Sequence, residues 1–149
     1  MVQGSASVHI ALPPAEVFAA VADVTRMGDW SPENTGGRWV DGATGPAEGA
    51  SFEGDNIAKL GPLTLKQWTT TSVVTECRAG EVFEFVTADY TTWRFETKAS
   101  DGGTQLTESF SYPGYSGKDR ILYAMVGRGR AIQKGVEKTV GRIKAVLEA

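Results

Sequence analysis

Glu108 is the residue whose placement in this sequence asks for a chemical explanation. It lies in TQLTESFSY, residues 104–112, where Leu106, Phe110 and Tyr112 alternate with Gln105, Thr107, Ser109 and Ser111. A period of two sends alternate side chains to opposite faces of a strand, which puts Glu108 on the apolar face. A carboxylate held there without a partner loses its hydration. Its pKa then climbs toward the range in which a side chain exchanges protons at neutral pH. A general acid/base is one expectation for Glu108. The other is a structural carboxylate, hydrogen-bonded to Asn56, Tyr112 or Ser72 or paired with Arg128.

Other chemistries find less support. The one histidine, His9, has the opposite parity from Val8 and Ile10 and is expected at the surface, which argues against a histidine-centred triad or zinc site. Cys77 is the only cysteine, so an intramolecular disulfide and multi-cysteine metal motifs are excluded, and no histidine lies near it in sequence. GATGPAEG, residues 42–49, contains Pro46, lacks a lysine and precedes a strand, unlike a phosphate-binding loop. No metal and no organic cofactor are expected.

The chain of 149 residues has a net charge of −3. That length suits one domain over 1–149, and the charge gives no expectation of nucleic-acid binding. Its basic residues are unevenly spread. Lys118, Arg120, Arg128, Arg130, Lys134, Lys138, Arg142 and Lys144 are set against only Asp119 and Glu137. The plain reading is the solvated face of a helix, and the sharper one is a patch for anionic partners or a membrane surface. The opening MVQGSASVHIALPP lacks the charged and apolar regions of a signal peptide, and no run approaches the ~18 apolar residues of a membrane span. A soluble, cytoplasmic protein is expected; its oligomeric state is not written in the sequence.

The elements that must position Glu108 are mostly strands. SVHIAL (7–12) alternates, Pro13-Pro14 ends it, and AEVFAAVAD (15–23) has one apolar side; a second helical turn follows, broken by Pro32. Between residues 36 and 112, turn residues recur between β-branched and aromatic runs, as in an antiparallel meander. With Ala79-Gly80 as a two-residue turn, Val74 opposes Phe85 and Glu76 opposes Phe83. With SDGG as the last hairpin loop, Thr97 opposes Leu106, Phe95 opposes Glu108 and Trp93 opposes Phe110. One long helix, roughly 117–148, closes the chain with a stripe that includes Leu122, Met125, Val126, Ile132, Val136, Val140, Ile143 and Leu147. Gly129 interrupts that stripe, either for close packing on the sheet or to leave room for a ligand.

These registers assemble an inward-facing set. Phe52, Gly54 and Asn56 come from one strand, and Trp68, Thr70 and Ser72 from the next. Phe83, Phe85, Trp93 and Phe95 follow, and Glu108, Phe110 and Tyr112 complete it. A mostly apolar surface with a few polar groups is how small-molecule sites are commonly built.

The order is one strand, two short helices, six strands and one long helix, and particular words recur along it. They are DVTRMGDWSPE (23–33), RWVDGATGP-x-x-G-x-x-F-x-G-x-N (38–56), the Trp68–Val74 strand followed by AGEVFEF, and GGTQLTESF. The chain resembles the START-like, or SRPBCC, helix-grip superfamily in its bacterial polyketide cyclase/dehydrase-like branch. The resemblance implies an α+β fold in which a curved antiparallel sheet, element order β-αα-β6-α, wraps a long C-terminal helix around an internal cavity. It also implies that Trp30 sits near the cavity mouth, with Met125 and Gly129 on the helix side. The activity implied is binding of a small, largely apolar ligand, lipid-, polyketide- or quinone-like. The alternative is a cofactor-independent cyclase, aromatase or dehydratase with Glu108 as acid/base. The resemblance further implies a basic residue on the central strands of polyketide cyclases. Here positions 68–74 carry no charge, and Arg94 falls on the outer face by the hairpin register.

Overall fold

Alternation governs the chain from its second residue. In β1 (Val2–Ile10) the even positions are half-buried or buried and the odd ones exposed, the pattern of a strand with one face on a core. The computed structural model describes residues 1–113 and 127–149. β1 therefore starts five residues earlier than SVHIAL suggests and includes Ala6. Pro14 opens α1 (Pro14–Val21), where its missing N–H costs nothing, and Val17, Phe18, Ala20 and Val21 are buried.

The second helical turn is present and is of the 3₁₀ kind. Val24–Asp29 is a 3₁₀ helix, begun by Asp23, whose side chain accepts from the Thr25 N–H at 3.0 Å. Its backbone lies so close to the next strand, β2 (Asn34–Val40), that a Cβ on Gly37 would stand 2.5 Å from the Val24 carbonyl oxygen. Glycine at 37 thus seats the 3₁₀ turn on the sheet.

The remaining strands are β3 (Ser51–Leu60), β4 (Leu63–Arg78), β5 (Val82–Thr87), β6 (Thr92–Ser100) and β7 (Gly103–Tyr112). They form one curved antiparallel sheet in the order β1-β7-β6-β5-β4-β3-β2, so the first strand returns to pair with the last. The C-terminal helix α2 (Arg128–Leu147) packs on β1 and β7. This is the α+β helix-grip arrangement.

Two registers can be compared with expectation. In β6–β7, Thr97 pairs with Leu106, Phe95 with Glu108 and Trp93 with Phe110, as the hairpin reading requires. Asp101 and Gly102 both have positive φ (44° and 76°), the two-residue turn whose twist matches its strands. In β4–β5, Val74 pairs with Phe85, but a bulge before Glu76 shifts the rest. Cys77, not Glu76, opposes Phe83, and Glu76 opposes Glu84. The extra residue turns Glu76 to the outer face, where Arg94 reaches it, and so keeps a charge out of the core.

A helix running unbroken from 117 is also corrected. Gly127, at φ 64°, is left-handed and caps α2 at Arg128. Residues 114–126, with Leu122, Met125 and Val126 of the expected stripe, lie outside the described residues, as does the side chain of Arg128. Among the described residues no helix is long and apolar enough to cross a membrane.

Candidate functional site: a buried carboxyl between two apolar clusters

Among the described residues the inner face of the sheet carries two separate apolar clusters. The larger joins Ile10, Val17, Phe18, Val24, Trp30, Phe52, Val74, Phe83, Phe85, Phe95, Leu106 and Ile143. Within it Phe52 meets Trp39 edge-on at 5.6 Å and Phe85 at 5.0 Å, and Phe85 meets Phe83 at 5.6 Å. The smaller consists of Phe110, Tyr112 and Val136, with Val2, Ala6, Trp93 and Ile132 against it. Phe110 stands 6.1 Å from Trp93 and 6.3 Å from Tyr112. Among the described residues only Trp93, half-buried, leans on both.

Glu108 occupies the seam between them. Along β7 it has Leu106 of the larger cluster on one side and Phe110 of the smaller on the other. Across the ladders it faces Phe95 on β6 and Ala6 on β1. On α2, Ile143 belongs to one cluster and Val136 to the other, and buried Thr139 and Val140 fall between. The Thr139 hydroxyl is already committed, donating to the Gly135 carbonyl at 2.8 Å.

Glu108 is 5% exposed, and its Oε2 finds no hydrogen-bond partner among the described residues. Burial pushes its pKa from 4.5 to about 8. The cause is lost hydration, which penalises the charged form. At neutral pH Glu108 is therefore mostly a neutral acid, with a proton to donate and an oxygen to accept.

Of the partners expected for Glu108, Asn56 is engaged elsewhere and the side chain of Arg128 lies outside the described residues. Asn56 donates its amide to Thr70 Oγ1 at 2.9 Å, and to the carbonyls of Gly54 and Trp68 at 3.2 and 3.4 Å. That group ties β3 to β4 at one end of the inner face, where Asn56, Trp68 and Thr70 are half-buried, while Ser72 beside them is buried. Arg94 lies on the outer face, as its parity requires. Its Nη1 donates to Glu76 at 2.7 Å and Glu84 at 2.8 Å, and its Nε to Glu96 at 3.1 Å. Those bonds raise the guanidinium's pKa further, and the bond from Arg94 holds Glu76 below its ordinary value. Burial, with some help from Glu48, pushes the Cys77 thiol up, away from the thiolate a nucleophile needs.

Trp30 departs from its expected place. It is 2% exposed and packs within the larger cluster, with Arg26 5.1 Å above its ring, so it is a core residue rather than a rim. Gly129 has a packing reason: a Cβ there would meet Val2 at 3.2 Å and the Tyr112 hydroxyl at 3.5 Å. Two seam residues, Ala6 and Thr139, escaped the sequence reading. The parity of Ala6 with Val8 and Ile10, and the spacing of Thr139 from Val136 and Ile143, were the available signals. His9 is exposed, with Nε2 2.9 Å from the Ser100 carbonyl. Among the described residues no three His, Cys, Asp or Glu side chains converge as metal ligands do.

Known proteins place this arrangement. The signature of the family described as polyketide cyclase/dehydrase and lipid transport matches residues 1–148. The solution structure of the polyketide-cyclase-like protein Cgl2372 from Corynebacterium glutamicum is 29% identical. It superposes with a TM-score of 0.66 over 98% of this chain and 91% of its own. TTHA0849 from Thermus thermophilus, 15% identical, gives 0.68 over 97% of this chain and 96% of its own. DynU16, a protein of the dynemicin biosynthetic locus, is 18% identical and gives 0.70, covering all of this chain and 48% of its own. The last two share the fold alone. No curated protein sequence matches the chain.

Proposed function

The chain belongs to the polyketide cyclase/dehydrase and lipid transport family, and from that premise we propose that it binds a small, largely apolar molecule between the sheet and α2. The ligand is lipid-, polyketide- or quinone-like, and its one polar group sits beside Glu108. The observation that carries this reading is the Glu108 oxygen that has no partner among the described residues, at the seam of two apolar clusters. Buried polar atoms are nearly always hydrogen-bonded, and one left open inside a fold is a place where a ligand's polar group gains more than water would. A protonated carboxyl suits a carbonyl or hydroxyl, since it can donate to one and also accept from the other. Phe95 and Phe110 would wall the site, with Trp93 bridging them.

The same carboxyl supports a second reading, acid/base catalysis on a polyketide-like substrate. A pKa of about 8 is close to what such a group needs. Against it stands Arg94, a cation of β6, which is engaged with three glutamates on the outer face and so is not available to stabilise an enolate inside.

Native mass spectrometry of the purified protein, followed by denaturing extraction, tests the binding reading. A retained apolar molecule bearing a carbonyl or hydroxyl is the expected result. A protein that carries nothing and takes up no apolar fluorescent probe would leave Glu108 a structural carboxyl in a filled core.

A further inference from the structure

The exposed apolar side chains are gathered at one end of the sheet. Of the seven large hydrophobic residues that are most exposed among the described ones, five lie there: Met1 at the start of β1, Leu60, Leu63 and Leu65 at the β3–β4 turn, and Tyr90 between β5 and β6. The three leucines are at least 60% exposed. From Ala58 to Lys66 the β3–β4 ribbon has no third strand beside it among the described residues, because β2 pairs with β3 only up to Asn56 and β5 pairs with β4 only from Ser72. The ribbon thus projects past the sheet with leucines at its tip, where turns ordinarily carry polar residues.

Charge is sorted along the same axis. Residues 56–75 hold Lys59 and Lys66 and no acidic residue, in a chain whose net charge is −3. Nearby at this end are Arg130 in the first turn of α2, and Glu33 and Asp89. The turns at the opposite end carry Asp41, Glu48, Glu81 and Asp101. Lys66 Nζ lies 5.2 Å over the ring of Trp68, which couples a cation to an indole of the kind that settles at a lipid–water boundary.

We propose that the β3–β4 ribbon tip docks on an anionic lipid surface, with Leu60, Leu63 and Leu65 entering the acyl boundary and Lys59 and Lys66 at the headgroups. Apolar burial and attraction to anionic headgroups add in such docking, and the acidic far end would be turned away from the surface. A second copy of the chain is a poorer occupant, since tip-to-tip contact would bring the lysines of both copies together. Docking of this kind uses surface residues alone and does not need the interior to hold a ligand.

Co-sedimentation of the full chain with vesicles of phosphatidylcholine alone, or mixed with phosphatidylglycerol, tests it. Binding is expected to the mixed vesicles and to weaken with salt. The double variant Leu60→Ser/Leu63→Ser should lose at least about tenfold in affinity. Lys59→Glu/Lys66→Glu should lose at least about fivefold for each lysine. Lys134→Glu/Lys138→Glu, on the exposed side of α2, should bind as wild type does. Thermal melts confirm folding, and Leu60→Ala/Leu63→Ala serves if the serine variant does not fold. No binding by wild type, or equal binding by the leucine variants, overturns the proposal. So does loss of binding only in the α2 variant, which would place docking on the basic helix. Tip-dependent self-association in sedimentation velocity without vesicle binding overturns it in favour of a second copy.

Discussion

Phe95 and Glu108 face each other directly across the β6–β7 ladder, one an aromatic wall of the larger cluster and the other a carboxyl at its boundary. The pairing explains why the carboxyl is dry: Phe95 covers it from β6, the Ala6 position from β1, and α2 closes over the face. It also sets what the group can do, because a carboxyl shielded in this way is protonated where an exposed one is not.

Stability should depend on pH through this group. The folded pKa of about 8 exceeds the ordinary 4.5, so the fold binds the proton more tightly than the unfolded chain does. The contribution is fully present below 4.5 and is lost as pH rises through about 8, with a slope of at most about 1.4 kcal/mol per pH unit. Glu108→Gln should remove that slope. Denaturant unfolding of both proteins between about pH 5 and about pH 9 checks it. Parallel pH profiles would mean the carboxyl is not buried in solution.

Ligand binding and catalysis separate in the same variant. Glu108→Gln keeps shape and hydrogen bonding, so affinity for a retained ligand should stay within about tenfold, the worth of one hydrogen bond. If Glu108 moves protons, turnover of that molecule should fall by about 10²–10⁴. Wild-type values for both quantities would remove Glu108 from the site.

Phe85→Ala reports on how tightly the larger cluster is packed. Phe85 is 5% exposed and touches both Phe52 and Phe83. In a close-packed core the substitution should cost about 3–5 kcal/mol by denaturant unfolding. A cost well below that range would mean the ring borders open space.

Gly37→Ala should lower stability by about 1–3 kcal/mol, because the new methyl meets the Val24 carbonyl and must push the 3₁₀ turn off the sheet. Gly45→Ala, in a loop with nothing within 4 Å of the added carbon, should change stability by no more than about 0.5 kcal/mol. Equal effects at the two positions would show that the contact between the 3₁₀ turn and β2 is loose in solution.

Particular residues show how far the sequence could be read. Alternation in TQLTESFSY and TWRFETK, with SDGG as the loop between them, was enough to pair Phe95 with Glu108, since a short loop of fixed length leaves one register. The bulge before Glu76 was not legible. A bulge is chosen by what the neighbouring strands offer, and the Arg94 that makes it favourable for Glu76 to face outward is 18 residues away. Trp30 was misplaced for a similar reason, because its burial depends on how the 3₁₀ turn seats on β2.

The sequence by itself determined the element order, the inward parity of Glu108 and the outward parity of Arg94, because strand periodicity is local and needs no partner to be read. Only the tertiary structure decided that the inner face divides into two clusters with Glu108 at the seam. It also decided that Asn56 is spent on Thr70, and that the leucines of the β3–β4 ribbon stand beyond the sheet. Those facts depend on where strands of unequal length end against one another and on where α2 crosses them, which no single stretch of chain specifies.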